Sequence, residues 1–387
     1  MGKRLDVAWI FTKLGLTGFG GPAALIAMMQ EEIVERRRWL SREHFADLVG
    51  ATNLIPGPNA TEMAMHIGYI HAGWAGLFIA GICYVGPAAT ITSLLAWSYA
   101  RFGTLPQLAP FLYGIKPAVL AVILAALWRL GRTTIKHKAL LLLGLAAMSL
   151  CLAGINEVLA LFSVAVTGML VLRWRATRPK PHPPTAPALV GPALGAPLLA
   201  LAEGVRAPVA FSFWKLVLFF LKTGAVLYGS GYVLVAFLQG GLVQRYGWLT
   251  EQQLLDAIAA GQFTPGPLLT TSTFIGYFLA SVPGAILCTA AFILPSFLFV
   301  VLLNRAIPRL RRSPWSSAFL DAVNVSALGL MAAVTAKLAL TTLVAWPPVL
   351  IAVVAIAMAL LWKVNATWLV LGGAALGWVL HITGLVP

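Results

Sequence analysis

Residues 53–69 read NLIPGPNATEMAMHIGY. Two prolines, two glycines, two asparagines, a glutamate and a histidine stand there in a chain that is otherwise strongly apolar. Proline has no N–H and stops a helix from continuing. Glycine lets the backbone turn and lets a ligand come close. A stretch of this kind should end one helical piece and begin another. A new helix N-terminus presents unpaired N–H groups and a partial positive charge, which suits an oxyanion. Irregular backbone at membrane depth survives only inside protein or along a cavity. The stretch is therefore expected to form half of a substrate site, not a simple span.

The surroundings are those of a membrane protein. The 387 residues are 60% hydrophobic and 10% charged, against about 25% charged in a soluble domain, and the mean hydropathy is +0.88. Apolar runs such as 77–97 and 347–362 are long enough, or nearly so, to cross about 30 Å of hydrocarbon at about 1.5 Å per residue. The fold class expected is an all-α polytopic membrane protein. A β-barrel is excluded because the runs are continuously apolar, without alternation. The net charge of +15 gathers in short clusters between apolar segments, ERRRW, WRLGRTTIKHK, RWRATRPK and NRAIPRLRR. That is the positive-inside pattern, and nucleic acid is not expected as a partner. Cys83, Cys151 and Cys288 show no CxxC spacing and read as small core residues, neither disulfides nor metal ligands. No cleavable signal peptide is expected, because the opening residues lack a clean apolar core and a small-residue cleavage site. No haem-binding histidine pair, iron–sulfur cysteine set, nucleotide-binding glycine loop or P-loop is present. An enzyme, a cofactor, a metal site and a transport ATPase are accordingly not expected.

The chain is written twice. Shifted by about 209 positions, FTKLGLTGFGG from Phe11 falls on FLKTGAVLYGS from Phe220. Gln30 then meets Gln239, Arg36 meets Arg245, Asp47 meets Asp256, and PGP at Pro56 meets PGP at Pro265. After a one-residue gap IGY at Ile67 meets IGY at Ile275, and further on Asn156 meets Asn365. The expected organisation is a first repeat over 1–172, a basic proline-rich linker over 173–213 with an apolar stretch at 186–202 that could add a span, and a second repeat over 214–387. The basic loops swap between the halves. The loop at Arg101 is nearly neutral while its counterpart around Arg309 is basic, and the basic loop 129–138 keeps only Lys337 in the second half. Corresponding loops should then lie on opposite membrane faces, the signature of inverted repeats. The same count makes 8–30 and 48–70 broken or re-entrant elements, bent at GFGGP and at PGP. Two ordinary kinked spans are the alternative.

FGGPAALIAMMQEEIVERRRWLSREHF, then GATNLIPGPNATEMAMHIGY and AGWAGLFIAGICYVGPA, with the second copy FTPGPLLTTSTFIGY, closely resemble the chromate ion transporter family in its long, two-domain form. The resemblance covers nearly the whole chain. YGSGY at Tyr228 departs from the glycine run often found there, and the serine keeps the position small. The resemblance implies a multi-pass carrier in the cell inner membrane of a bacterium or archaeon. Such a carrier exports chromate, driven by the membrane potential or a proton gradient, and gives chromate resistance.

Two breaks per half, related by the repeat, would surround one central site. Its backbone would come from Gly20, Gly21, Gly57, Gly229 and Gly266. Asn53, Asn59, Thr61, Gln262, Thr264, Thr270 and Thr271 would either donate hydrogen bonds to the anion or satisfy freed backbone groups. Lys13 and Lys222 align and could balance a dianion, or snorkel to headgroups. Glu62 and His66 share a helix face just after the first PGP and are candidates for proton coupling, or form a buried pair that orders the helix. Arg36, repeated as Arg245, reads as topogenic with a second use in recruiting the anion. Asp47 and Asp256 are expected to pair with an arginine or cap a helix. The expected partners are chromate or a sulfate-like oxyanion and membrane lipid, and a homodimer stays open. A passive oxyanion channel and a carrier of sulfate or another oxyanion remain alternatives, since the tetrahedral oxyanions share charge and shape.

Overall fold

The computed structural model describes residues 2–19, 21–103, 105–177, 209–229, 231–303 and 313–385. Gly20, Ser230, the apolar stretch 186–202 and the basic run around Arg309 lie outside them. Among the described residues every regular element is helical.

The first repeat opens with α1 (Lys3–Thr17). After the break at GFGGP, α2 (Pro22–Gln30) starts with proline in its first turn, where the missing N–H costs nothing. It runs on as a π-helical turn, Glu31–Arg36. Ser41 caps α3 (Arg42–Thr52) by accepting from the His44 amide. PGP then separates α3 from α4 (Asn59–Phe102), which is followed by α5 (Ala109–Thr134), α6 (Lys138–Leu152) and α7 (Glu157–Thr177). The second repeat has the same order: α8 (Phe213–Val226), α9 (Leu234–Leu238) with its π-helical turn Gln239–Arg245, α10 (Glu251–Phe263), α11 (Thr271–Leu303), α12 (Pro314–Thr342), α13 (Trp346–Leu361) and α14 (Ala366–Ile382). Thr250 and Gln253 start α10 with a reciprocal capping box. The duplication holds element by element, π-helical turns included.

α4 and α11 are not straight rods. In α4 the backbone leaves helical geometry at Ala72 and Gly73 (φ +62°), and in α11 at Ala280 and Ser281 (φ +54°). The chain reverses there. Gly68 and Gly76 would lie about 12 Å apart along one helix, yet a Cβ on either would overlap the other's carbonyl. Gly276 and Gly284 meet in the same way. Each element is therefore a tight helical hairpin, closed where two glycines remove the side chains between the arms. The short arm 59–71 reaches only about 20 Å, while the long arm 74–102 reaches about 43 Å and can cross a bilayer.

The long arms pack antiparallel at the centre. Phe78 stacks on Phe297 at 5.0 Å. Farther along α4, Tyr99 meets Phe274 and Phe278, which the fold-back sets level with the start of the long arm of α11. α1 packs on α4, and α8 on α11. The remaining helices are exchanged between the repeats: α5 packs against α13 and α14, and α12 against α6 and α7. Small residues allow the close approach, Gly114 against Gly373 and Gly377, and Gly168 against Ala322. The halves are interlocked, so neither has a complete core alone.

Among the described residues five helices are long and apolar enough to cross a membrane, those beginning at Asn59, Ala109, Glu157, Leu268 and Pro314. The three cysteines are free, with Cys151 and Cys288 buried and Cys83 half-buried.

Candidate functional site

The two PGP loops are each tied to the other repeat. Gly57 (φ +141°) donates its amide to the Leu227 carbonyl at 2.7 Å, and Gly266 (φ +105°) donates to the Gly18 carbonyl at 2.6 Å. Leu227 and Gly18 are the residues at which α8 and α1 stop. Each loop thus closes on the break after the other repeat's first helix, through backbone dihedrals that a side chain would strain.

Helix starts converge on the space between these loops. Its wall carries Gly21 and Pro22 at the head of α2, Pro58 and Asn59 at the head of α4, and Gly229 and Gly231 at the turn before α9. It also carries Pro267 and Leu268 at the turn before α11, and Asn365, the N-cap of α14. The enclosed part is about 40 Å³, room for roughly three waters and so on the scale of one small polyatomic ion. It opens into a cavity of about 640 Å³ that shares Gly21, Pro22, Asn59, Gly229, Tyr232 and Asn365 with it. A side chamber of about 130 Å³ adds Asn53 and Asn324.

Most of the candidate donors read from the sequence meet here. Asn59 donates from Nδ2 to Asn53 Oδ1 at 2.6 Å. Gln262 is buried on the chamber wall beside Tyr232, whose hydroxyl its side chain approaches. Thr264, on the same wall, is differently engaged: its hydroxyl donates to the Ala260 carbonyl and accepts from Thr92. Thr270 and Thr271 donate to the Pro267 and Leu268 carbonyls. These hydroxyls satisfy carbonyls freed by the break.

Glu62 and His66 stand one turn apart in the short arm of α4, both fully buried. Glu62 Oε1 accepts from Ser296 of α11 at 3.1 Å. Its Oε2, both His66 ring nitrogens and the Thr61 hydroxyl have no partner among the described residues. Glu62 fills the space beside Gly57 that a Cβ there would need.

The lysines stand elsewhere. Lys13 pairs with Glu32 at 2.9 Å, and Glu32 also meets Arg37 at 3.1 Å and Arg36 at 3.7 Å. Lys222 lines a separate pocket of about 190 Å³ with Lys215, Arg245 and Asn156. In that half Gly240 and Gly241 replace Glu31 and Glu32, and the carboxylate of Glu157 enters the space beside Gly240. Neither lysine lines the cavity at the PGP loops. Arg36 bonds Glu31 at 2.6 Å. Asp256 pairs not with an arginine but with Tyr99, whose hydroxyl donates at 2.7 Å. At the exposed foot of α3, the Arg42 side chain donates to Glu35 and holds that carboxyl below its ordinary value.

Two cations of the cavity wall were not among the sequence candidates, Arg129 of α5 and Lys363 between α13 and α14. Arg129 stood in a cluster whose composition reads as topogenic. Lys363 has no lysine at its counterpart, so the repeat gave no signal.

The chromate transporter family model matches residues 5–169 and again 214–378. The chain belongs to the chromate transporter family. It is 33% identical to the chromate transport protein of Cupriavidus metallidurans, over 95% of this chain and 90% of that one. It is 31% identical to the probable chromate transport protein of Synechococcus elongatus, over 92% and 89% of the two chains. With the chromate transport protein of Pseudomonas aeruginosa the identity is 30%, over 95% and 90%. No solved structure matches the chain. The family is one of transporters, in keeping with the multi-pass helical fold.

Proposed function

We propose that the protein is a secondary active exporter of chromate in the cell inner membrane, conferring chromate resistance. The dianion would occupy one site between the two repeats. The observation that carries this reading is the convergence of helix starts from both repeats on one chamber, with the polar side chains of Asn59, Gln262 and Asn365 on its wall. A dianion in a low-dielectric region is very costly unless dipoles and charges surround it. One helix N-terminus offers roughly half a charge, so several must converge. Gly21, Asn59, Gly229 and Gly266 are the proposed backbone and side-chain contacts, with Asn53 holding Asn59 and Gly57 closing the loop behind them. The names of the three relatives supply the choice of chromate.

The inverted arrangement of the repeats is part of the proposal. The antiparallel packing of the long arms of α4 and α11 supports it, because two such arms cross a bilayer in opposite directions. The short arms would then be re-entrant. Glu62 and His66, buried beside the first PGP loop, are the proposed proton-coupling groups. A channel would need no such carboxylate. The test is counter-flow of labelled chromate against sulfate in proteoliposomes with an imposed pH gradient. Uphill chromate movement driven by the gradient is expected. Flux that only dissipates the chromate gradient would favour a passive channel.

A further inference from the structure

We infer that Arg129 and Lys363 are the charge partners of the transported anion, and that they make the site selective for divalent over monovalent tetrahedral oxyanions. The inference rests on the transport reading above and names residues and a substrate class that the reading leaves open. Among the described residues, the central chamber, the side chamber and the large cavity are lined by two charged side chains, both cationic, and by no carboxylate. A single cavity with a net charge of two positive units matches a dianion. Helix starts alone leave part of that charge uncompensated.

The cations come from helices that the two repeats exchange. Arg129 lies on α5 of the first repeat and donates to the Ala359 carbonyl of α13 in the second. Lys363 follows α13 and stands two residues before Asn365, the cap of α14. Arg129 is thereby braced across the junction of the halves, on the wall of the same cavity as Lys363. Guanidinium suits an oxyanion because its planar fork donates to two oxygens at once.

The backbone at Lys363 gives a second, independent observation. Its φ is +54°, in the left-handed region that favours glycine, and its repeat counterpart is Gly154 at φ +84°. The fold requires a left-handed residue there, and the chain carries lysine instead of the glycine that fits. The lysine differs from Arg38, which has the same geometry, in standing on the cavity wall, and its ammonium is what the cavity gains from the exchange of glycine for lysine. Arg38 supplies a natural control, with φ +54°, a glycine counterpart in Gly247 at φ +65°, and no place on the cavity wall.

The experiment measures sulfate binding to the purified protein by titration calorimetry, with perchlorate as the monovalent tetrahedral competitor and thermal unfolding in parallel. Lys363→Gly should weaken sulfate by about tenfold, as expected for a partly solvated charge pair. Its unfolding temperature should not fall, and perchlorate affinity should change much less. Arg129→Gln should weaken sulfate at least as much, with Arg129→Lys restoring a large part. Arg38→Gly should keep wild-type sulfate affinity. Wild-type sulfate affinity in Lys363→Gly and Arg129→Gln, with chromate transport intact, would overturn the inference and leave the transport reading standing. An equal loss in Arg38→Gly would overturn it too, by showing a diffuse surface-charge effect. Absence of any chromate or sulfate binding by the wild type would overturn both.

Discussion

Gly57 donates its backbone amide across the molecule to Leu227, and the repeat returns the bond from Gly266 to Gly18. Two crossed hydrogen bonds thus hold both broken regions against each other, and each uses a glycine at positive φ. Gly57→Ala should cost about 1–3 kcal/mol from backbone strain. A Cβ at Gly57 would also drive the Glu62 carboxylate and the Ser296 hydroxyl aside, and one at Gly266 would press on Ala88 in the long arm of α4, so both variants should cost more than the strain alone. Thermal unfolding of the two variants checks this. Unchanged stability in both would mean that the crossed loops do not hold the repeats together.

Lys13→Gln should leave chromate affinity at the wild-type value. Lys13 is 40% exposed and bonded to Glu32, so its removal should lower stability by only about 0–1 kcal/mol, as for other solvated pairs. Direct binding in detergent reads the first quantity and unfolding the second. A large loss of affinity would place the anion near the outer charge cluster of α1.

Glu62→Gln should fold, since the amide can still accept from Ser296, but its transport should lose its response to pH. An amide stays neutral at every pH, so the variant is fixed in the state that mimics a protonated carboxyl. If Glu62 carries the coupled proton, chromate flux in the variant becomes insensitive to an imposed pH gradient while exchange of chromate for chromate continues. Full gradient-driven transport by Glu62→Gln would remove the residue from coupling.

Inverted repeats predict opposite sidedness for the two hairpin ends. With the native cysteines replaced, Arg101→Cys should react with an impermeant reagent added outside whole cells. Ser313→Cys, just beyond the counterpart of that end, should react only after the membrane is opened. Labelling of both from outside would contradict inversion.

Much of this architecture is legible in the sequence, and the misses have physical reasons. The breaks at GFGGP and PGP are visible because proline and glycine act locally, on the residue that carries them. The duplication is visible because glycine, proline and charge stay in register over the whole length. The reversal inside α4 at Ala72 and Gly73 is hidden within an apolar run, and in α11 it falls on Ala280 and Ser281, with no glycine or proline at the turn itself. The close pairs Gly68 with Gly76 and Gly276 with Gly284 were present but carry no meaning until the arms are known to meet. The exchange of α5 and α12 between the halves depends on long-range packing, which no local pattern encodes. Lys13 and Lys222 matched across the repeat, yet that match fixes their symmetry and not their direction. Glu32 and Glu157 supply the nearby carboxylates. Lys363 breaks the repeat, its counterpart being Gly154, and Arg129, whose counterpart is Lys337, sits in a basic loop that reads as topogenic, so a search for paired site residues passes over both.

The central claim is one anion site shared by both repeats. Equilibrium binding of labelled chromate to the purified protein, with Asn59→Ala in the first repeat and Gln262→Ala in the second, tests it most directly. The account predicts one ion per chain in the wild type, and a loss of affinity for that same ion in either variant alone. Two ions per chain, with each substitution removing one and sparing the other, would contradict it.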